Sequence, residues 1–197
     1  MSNMKALGIC GSARREGNTH ILIREVLHGA ESKGMRTRLV FLDDLRIQPC
    51  RGCAQCKDNS TGCVIPDDFG LLLENIRDAD LVIIGSPVYM AQVTGQTKTM
   101  LDRLYSLRRG DRSMRIDGSK KKGVLVVTCG SEDPAHPVAT TRTLGVLYRF
   151  LNTPDVVEIV EQGLNPRGAV LARPQSLERA RLVGESMADS LIGGENA

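Results

Sequence analysis

Four cysteines that fall within fourteen residues are the part of this sequence with the clearest chemistry. They occupy residues 50–63 with the spacing C-x2-C-x2-C-x6-C. Three thiols at a three-residue repeat, with a fourth a short loop away, can converge on one small centre. An iron–sulfur cluster uses such a set, because each of its irons takes a cysteine thiolate. The predicted ligands are Cys50, Cys53, Cys56 and Cys63.

The sequence leaves two other interpretations of the cysteine motif open. Structural zinc sites use thiolates too, but usually as two separated C-x2-C knuckles. Alternatively, the thiols are free or disulfide-bonded and only shape a loop. The first residues lack a secretory apolar region and no apolar run approaches a membrane span, so we expect a cytoplasmic protein with no membrane partner. In that reducing compartment a cysteine cluster favours metal or redox chemistry.

Length and composition limit the remaining classes of function. A chain of 197 residues, 41% hydrophobic and 25% charged, fits one globular domain over residues 1–197. The net charge of +3 is too small to indicate nucleic-acid binding. Aromatic residues make up 3% of the chain and tryptophan is missing, which argues against a base-stacking surface. We therefore expect no nucleic-acid partner.

Apolar runs that alternate with helical patterns predict the architecture that positions these cysteines. Strands are predicted at residues 5–10, 37–42, 81–84, 124–127 and 156–160. Helices are predicted at residues 17–34, 66–76, 95–107, 137–151 and 175–191. This alternation favours an α/β fold with an open parallel sheet covered on both faces. The cysteines lie in a long loop at about residues 43–66, and loops of that length are uncommon unless they carry function.

The segment that follows the first strand has the features of a phosphate-binding loop. Residues 11–19 combine a glycine turn, hydroxyl and amide groups, an arginine and a helix N-terminus. Backbone N–H groups and the helix dipole hold phosphate at such places. The segment is neither a Walker A loop nor a G-x-G-x-x-G fingerprint. The alternative is a polar helix cap with an exposed arginine.

Two further strand ends offer surfaces for a flat ligand. Residues 86–90 provide apolar surface and one aromatic ring, and residues 128–132 are small enough for close backbone approach. Ligands of such sheets bind at the carboxyl ends of the strands. A phosphate on the first loop and a planar group between the other two describes a mononucleotide such as FMN. Alternatively, Pro87 and Gly130 only make turns.

At this point the chain resembles the iron–sulfur flavoproteins within the NADPH-dependent FMN reductase and flavodoxin-like group. The likeness covers about residues 4–131. It is carried by residues 11–14 and 17–19, by the cysteine motif running into Asp67-Asp68, by residues 86–89, and by Gly95, Lys98 and Asp102-Arg103. The resemblance implies a flavodoxin-like three-layer sandwich with strand order 2-1-3-4-5. It also implies one FMN per subunit, a nearby 4Fe-4S cluster that oxygen can destroy, and homodimers or tetramers.

The same resemblance implies residue roles. Ser12, Arg14, Asn18 and Thr19 are expected to hold the FMN phosphate. Pro87, Val88, Tyr89 and Met90 are expected to line the isoalloxazine ring, with Gly130 and Ser131 at its other edge. The four cysteines of the motif are expected to ligate the cluster.

We predict no catalytic side chain, because no Ser/His/Asp set and no metal-spaced histidines stand out. His20, His28 and His136 are expected at the surface or in helix caps. A flavin does its own redox chemistry, while the protein supplies position and tunes the potential. We therefore predict an oxidoreductase that passes electrons between FMN and the cluster, with ferredoxin or another carrier as partner and NAD(P)H as candidate donor. The alternatives are a cluster-free NAD(P)H-dependent FMN or quinone reductase, and a zinc-stabilised binding module.

The remaining charged and thiol residues are given structural roles. Cys10 and Cys129 are expected in the core, and Asp67-Asp68 at a helix start. Lys98 and Asp102 are expected to form a surface or interface pair. The basic stretch at residues 103–122 is expected to be a solvated connection, with docking of an acidic carrier or of the NADPH phosphate as the sharper hypothesis.

Overall fold

A five-stranded parallel sheet with the order β2-β1-β3-β4-β5 forms the centre of the molecule. The computed structural model describes residues 4–194. The strands are β1 Lys5–Cys10, β2 Arg36–Phe41, β3 Leu81–Pro87, β4 Lys122–Thr128 and β5 Asp155–Glu161. The predicted strand order is confirmed. Strands β1, β3 and β4 are buried almost throughout, which explains why they read as continuous apolar runs.

Five α-helices cover the two faces of the sheet. They are α1 Asn18–Ser32, α2 Phe69–Asp78, α3 Gly95–Arg103, α4 His136–Leu151 and α5 Pro174–Gly194. Helices α1 and α5 pack together on one face, and α2, α3 and α4 share the apolar core of the other. The predicted three-layer arrangement is therefore confirmed. No helix within residues 4–194 is long and apolar enough to cross a bilayer.

The sheet brings three strand ends to one edge. Strand β1 lies between β2 and β3, so the strand order reverses there. Cys10 at the end of β1 is level with Gly85, and Pro87 at the end of β3 is level with Thr128 at the end of β4. The loops after these strands therefore emerge side by side, in the place where doubly wound sheets bind ligands.

The start of α2 and the end of α3 differ from the predicted helix boundaries for reasons that the structure shows. Helix α2 begins at Phe69 rather than at residue 66, because the Asp67 carboxylate accepts the Phe69 N–H at 3.1 Å instead of joining the helix. Helix α3 ends at Arg103, and the chain continues as the 3₁₀ turn Leu104–Leu107. The expected surface pair of Lys98 and Asp102 is present on α3, with both side chains half exposed.

One histidine and two cysteines lie inside the fold. His20 is buried, so of its two expected positions the surface is wrong, while its contact at the start of α1 agrees with the helix cap. Its Nδ1 accepts the Glu16 N–H at 3.0 Å, and its ring packs edge-on against Phe41, with the ring centroids 5.0 Å apart. Cys10 and Cys129 are buried as expected. Burial raises the pKa of the Cys10 thiol to about 11, which keeps it protonated and unreactive.

Candidate functional site

A cleft of about 410 Å³ opens where the loops after β1, β3 and β4 meet. All ten residues predicted to contact the cofactor line this cleft: Ser12, Arg14, Asn18, Thr19, Pro87, Val88, Tyr89, Met90, Gly130 and Ser131. The sequence did not single out four other lining residues, which are Ala91, Leu164, Asn165 and Arg167. His136 also lines the cleft, although it was expected only at the surface or in a helix cap. The volume lies in the range of pockets that hold small molecules and cofactors.

The loop after β1 forms one end of the cleft. A Cβ on Gly11 would lie 2.0 Å from the Thr97 Oγ1, so only glycine lets this loop lie directly on α3. Ser12 is buried, and its hydroxyl accepts the Arg14 N–H at 3.2 Å. Helix α1 then begins at Asn18, and its first N–H groups have no intrahelical carbonyl to donate to. The positive end of the helix dipole therefore faces this end of the cleft.

The side chains at the start of α1 already form hydrogen bonds within the protein. Asn18 donates its amide to the Leu164 and Pro166 carbonyls and accepts the Val170 N–H. It therefore offers an anion its backbone N–H rather than its side chain. The Thr19 hydroxyl shares a 2.7 Å hydrogen bond with the Thr128 hydroxyl. A hydroxyl has one donor and two acceptor sites, so Thr19 keeps the capacity for a further partner.

A strained hairpin turn forms the second wall of the cleft. Tyr89 and Gln92 exchange two backbone hydrogen bonds of 2.8 and 2.9 Å. Between them Met90 and Ala91 have φ of 48° and 60°, the left-handed conformation of a two-residue turn that glycine or asparagine usually occupies. Met90 is 98% exposed and Tyr89 half exposed. Backbone strain of this kind persists mainly at functional sites.

The loop after β5 braces the third wall. Asn165 donates its side-chain amide to the Gly130 carbonyl at 3.1 Å, and a Cβ on Gly130 would lie 2.5 Å from that amide. The Leu164 N–H donates to the Cys129 carbonyl at 3.0 Å. These contacts fix the small residues after β4 against the cleft. The Asn-Pro pair at residues 165–166 marks a turn, which was the available signal for this loop.

The four cysteines of the motif line one smaller cavity of about 190 Å³. Cys50 and Cys53 are exposed, Cys56 and Cys63 are half buried, and all four are unbridged. Burial raises the pKa of the Cys56 thiol, although the neighbouring Lys57 acts in the opposite direction. Among residues 4–194, no three His, Cys, Asp or Glu side chains are grouped tightly enough to hold one metal ion. The thiols thus share a cavity without closing on a single point.

Two cations hold the cysteine loop in shape. Arg115 donates to the carbonyls of Cys56, Asn59 and Ser60 at 2.6–2.8 Å, and to that of Ser106 at 3.0 Å. Lys57 donates to the Tyr105 and Arg108 carbonyls. The expectation that residues 103–122 are a solvated connection is therefore wrong for Arg115, because its guanidinium donates to four backbone carbonyls.

A buried ion pair closes the inner side of the cysteine cavity. Arg103 and Asp67 form two hydrogen bonds of 2.7 and 3.1 Å, and their side chains are only 1% and 4% exposed. Burial alone would raise the pKa of Asp67, but hydrogen bonds from Arg103, Gln48 and Phe69 together hold it below its usual value. Arg103 was expected with the solvated cations. It is buried instead, because Asp67 neutralises its charge.

Helix α3 connects the two cavities. At its start the Thr94 hydroxyl donates to the Gly11 carbonyl, in the loop after β1, at 2.7 Å. At its end Arg103 lines the cysteine cavity. Nine residues at about 1.5 Å each make this helix roughly 13 Å long. One short helix therefore joins the loop after β1 to the cysteine cavity.

Known proteins share both the sequence and the fold of this chain. The family model described as NADPH-dependent FMN reductase matches residues 4–163. An iron-sulfur flavoprotein of Archaeoglobus fulgidus is 38% identical over 190 residues, which cover 95% of this chain and 80% of that protein. An iron-sulfur flavoprotein of Methanocaldococcus jannaschii is 43% identical over 107 residues, 54% of this chain and 55% of its own length. The first three curated relatives are matched over only 50–65% of their lengths.

A solved structure of a flavone reductase has a TM-score of 0.71 to this chain at 22% identity. The superposition covers 98% of this chain and 65% of the other. At that identity the likeness shows the fold, and it confirms the flavodoxin-like arrangement of sheet and helices.

Proposed function

This chain belongs to the NADPH-dependent FMN reductase family, among its iron-sulfur flavoproteins, and on that premise we propose that it exchanges electrons between FMN and a four-iron cluster. As an oxidoreductase of this family it works with FMN. We propose the four-iron cluster, the residues that hold FMN and the cluster, and the electron carriers.

The cleft residues fit FMN in three zones. Ser12, Arg14 and the N–H groups of Asn18 and Thr19 would hold the phosphate, where the helix dipole favours an anion. The ring system would be lined by Pro87, Val88, Tyr89 and Met90. Gly130 and Ser131 would lie at its other edge. Bound FMN supplies acceptance of a hydride and release of single electrons, while the chain orients it and limits access of water.

The composition of the cysteine cavity is the observation that best supports a cluster. Four thiols line it, and the Nε of Arg103, buried in the same wall, has no hydrogen-bond partner among the described residues. A cluster held by four thiolates is anionic, and hydrogen bonds to its sulfurs tune it. Cys50, Cys53, Cys56 and Cys63 would be its ligands. An unpaired buried donor on a residue that lines this cavity fits a group whose sulfurs accept hydrogen bonds.

The spacing of the thiols in the chain favours a cluster over zinc. Structural zinc sites usually take their cysteines from two separated C-x2-C knuckles. Here three thiols follow one another at a three-residue repeat, with the fourth after a further six residues, and all four line one cavity.

One observation favours a second function, a cluster-free NAD(P)H-dependent FMN or quinone reductase. Arg115 and Lys57 hold the cysteine loop through hydrogen bonds to six backbone carbonyls without any metal. Cys50 and Cys53 are also exposed. A loop that keeps its shape through hydrogen bonds alone can serve as a wall of the molecule with free thiols.

A basic hairpin beside the cysteine loop supports an acidic electron carrier as partner. Arg108 pairs with Met114 across this hairpin, and the Gly110 N–H donates to the Lys57 carbonyl. Arg109 and Arg112 are exposed next to it. Positive surface of this kind steers acidic partners such as ferredoxin, and its effect falls with ionic strength. NAD(P)H is the alternative donor.

Assembly into a homodimer or tetramer is supported by the rim of the cleft. Met90 is almost fully exposed and Tyr89 is half exposed on the strained hairpin. Exposed apolar residues at a functional rim commonly meet a partner surface. A second copy of the chain on this rim would also shield the cleft from water.

A pair of cysteine variants tests the proposed function. We expect Cys53→Ser, purified without oxygen, to lose its iron and acid-labile sulfide and to keep about one FMN per chain. Cys10→Ala is the matched control, since Cys10 is a buried thiol outside the motif and its removal should leave the iron content unchanged. Unchanged iron in Cys53→Ser would exclude this residue as a ligand. Loss of FMN together with iron would contradict separate sites.

A further inference from the structure

We infer that Arg103 is a positioning residue of the cysteine centre, whose Nε–H donates to the Cys63 sulfur and raises the reduction potential of the cluster held there. This inference rests on the proposed function and adds a residue that is not a ligand. Sequence motifs for cysteine ligation do not include it, because it lies forty residues after Cys63 on another element.

The guanidinium of Arg103 is fixed in place on three sides. Its two terminal nitrogens donate to both carboxylate oxygens of Asp67, and one of them also donates to the Gln48 carbonyl at 2.7 Å. The ring of Phe69 lies beneath the guanidinium carbon, with its centroid 4.6 Å away. The side chain is 1% exposed, so water does not compete for it. Arg103 therefore has no alternative position to adopt when a group fills the cavity.

One donor of Arg103 is left over. Its Nε is buried and has no hydrogen-bond partner among the described residues. A buried N–H without an acceptor is unfavourable and rare in folded proteins. Arg103 lines the cavity that Cys63 also lines. A Cys63 sulfur that ligates the cluster would supply the missing acceptor.

The choice of Cys63 among the four thiols follows from what surrounds each one. Of the four, Cys63 is the one that packs against the apolar core containing Phe69, whose ring lies beneath the Arg103 guanidinium. Cys56 instead neighbours Lys57 in the chain. Cys50 and Cys53 are exposed, where water can solvate their sulfurs. Cys63 is thus the thiol with a fixed buried donor.

The effect of Arg103 on the cluster comes from one N–H bond rather than from a free positive charge. Asp67 neutralises the guanidinium, so the pair as a whole adds little net charge to the cavity. A hydrogen bond to a cysteine sulfur stabilises the more negative, reduced form of the cluster. Removing the donor while keeping the charge should therefore make the cluster harder to reduce.

The test is a spectroelectrochemical titration of the anaerobically purified whole protein, in which cluster and flavin potentials are read separately. Arg103→Lys keeps the cation beside Asp67 but removes the Nε donor. Arg38→Lys is the control, because Arg38 is an exposed arginine on β2 that pairs with Asn75 and lines neither the cleft nor the cysteine cavity. We expect a negative shift of the cluster potential in Arg103→Lys, with FMN potential and iron content unchanged. We expect no such shift in Arg38→Lys.

Iron in Arg103→Lys with an unshifted cluster potential overturns the inference and leaves the proposed function standing. A native protein without iron overturns the proposed function, and this inference with it. If Arg103→Lys does not fold, electron–nuclear double resonance on native protein with ¹⁵N-labelled arginine decides the matter. Coupling of the reduced cluster to an arginine nitrogen supports the inference, and its absence contradicts it.

Discussion

Asp67 and Arg103 form a two-bonded ion pair, closed to solvent, that joins the end of the cysteine loop to the end of α3. Asp67 also accepts the N–H groups of Gln48 and Phe69, so one carboxylate holds the loop, the start of α2 and the end of α3 together. Because Thr94, just before α3, donates to the Gly11 carbonyl in the loop after β1, this pair links the cysteine cavity to one wall of the cleft.

Replacement of Asp67 by asparagine should destabilise the protein strongly. The change leaves the Arg103 charge buried without its partner, and breaking a buried pair in this way typically costs about 3–5 kcal/mol. Asp102→Asn is the control, since Asp102 belongs to the half-exposed pair with Lys98 and should cost less than about 1 kcal/mol. Urea unfolding measures both changes. Equal losses in the two variants would mean that the buried pair contributes no more than a surface pair.

Gly11→Ala should distort the phosphate end of the cleft. The added methyl would lie 2.0 Å from the Thr97 hydroxyl and 2.9 Å from the Gly85 carbonyl, so the loop must move away from α3. We expect weaker FMN binding and a stability loss of about 1–3 kcal/mol. Gly95→Ala is the control, because nothing lies within 4 Å of a Cβ there. Fluorescence titration of the apoprotein with FMN compares the two, and equal affinities would contradict the tight approach of the loop.

The left-handed turn at the cleft rim should accommodate glycine at position 91 better than the alanine that is there. Ala91→Gly relieves a φ of 60° that costs an alanine about 1 kcal/mol, so thermal stability should rise or stay level. Ala139→Gly inside α4 should instead lower stability by about 0.5–1 kcal/mol. Calorimetry of both variants gives the comparison. A loss of stability in Ala91→Gly similar to that in Ala139→Gly would show that the turn carries no strain.

Acid should weaken the protein through His20. Burial lowers the pKa of His20, with Arg24 and Arg15 acting in the same direction and Glu16 against it. The unfolded chain therefore binds more protons between the folded and unfolded pKa values, so stability is complete above about pH 6.5 and falls as the pH drops below it. Protonation also removes the acceptor for the Glu16 N–H.

Urea unfolding at pH 7.5 and 5.5 measures this dependence. His20→Gln should lose part of the difference between the two pH values. His28→Gln, on the exposed side of the same helix, should keep it. A native protein whose stability is the same at both pH values would contradict the structural role of His20.

The sequence could predict the sheet and the cleft because their signals are local. Continuous apolar runs mark buried parallel strands, and the carboxyl ends of such strands meet at one edge whatever the loops contain. The same kind of reasoning missed contacts between residues far apart in the chain. The sequence placed Arg103 among the solvated cations of residues 103–122, but its guanidinium pairs with the carboxylate of Asp67, 36 residues earlier. Asn165 donates to the carbonyl of Gly130, 35 residues earlier, and no local sequence pattern predicts that hydrogen bond.

Analysis of iron, acid-labile sulfide and FMN in the native protein, purified without oxygen, decides whether the chain holds a cluster beside its flavin. We expect about four iron, four sulfide and one FMN per chain, with cluster absorption that bleaches on reduction. Flavin without iron or sulfide, together with rapid NADPH oxidation, would contradict this expectation and would leave the cluster-free reductase as the function of this chain.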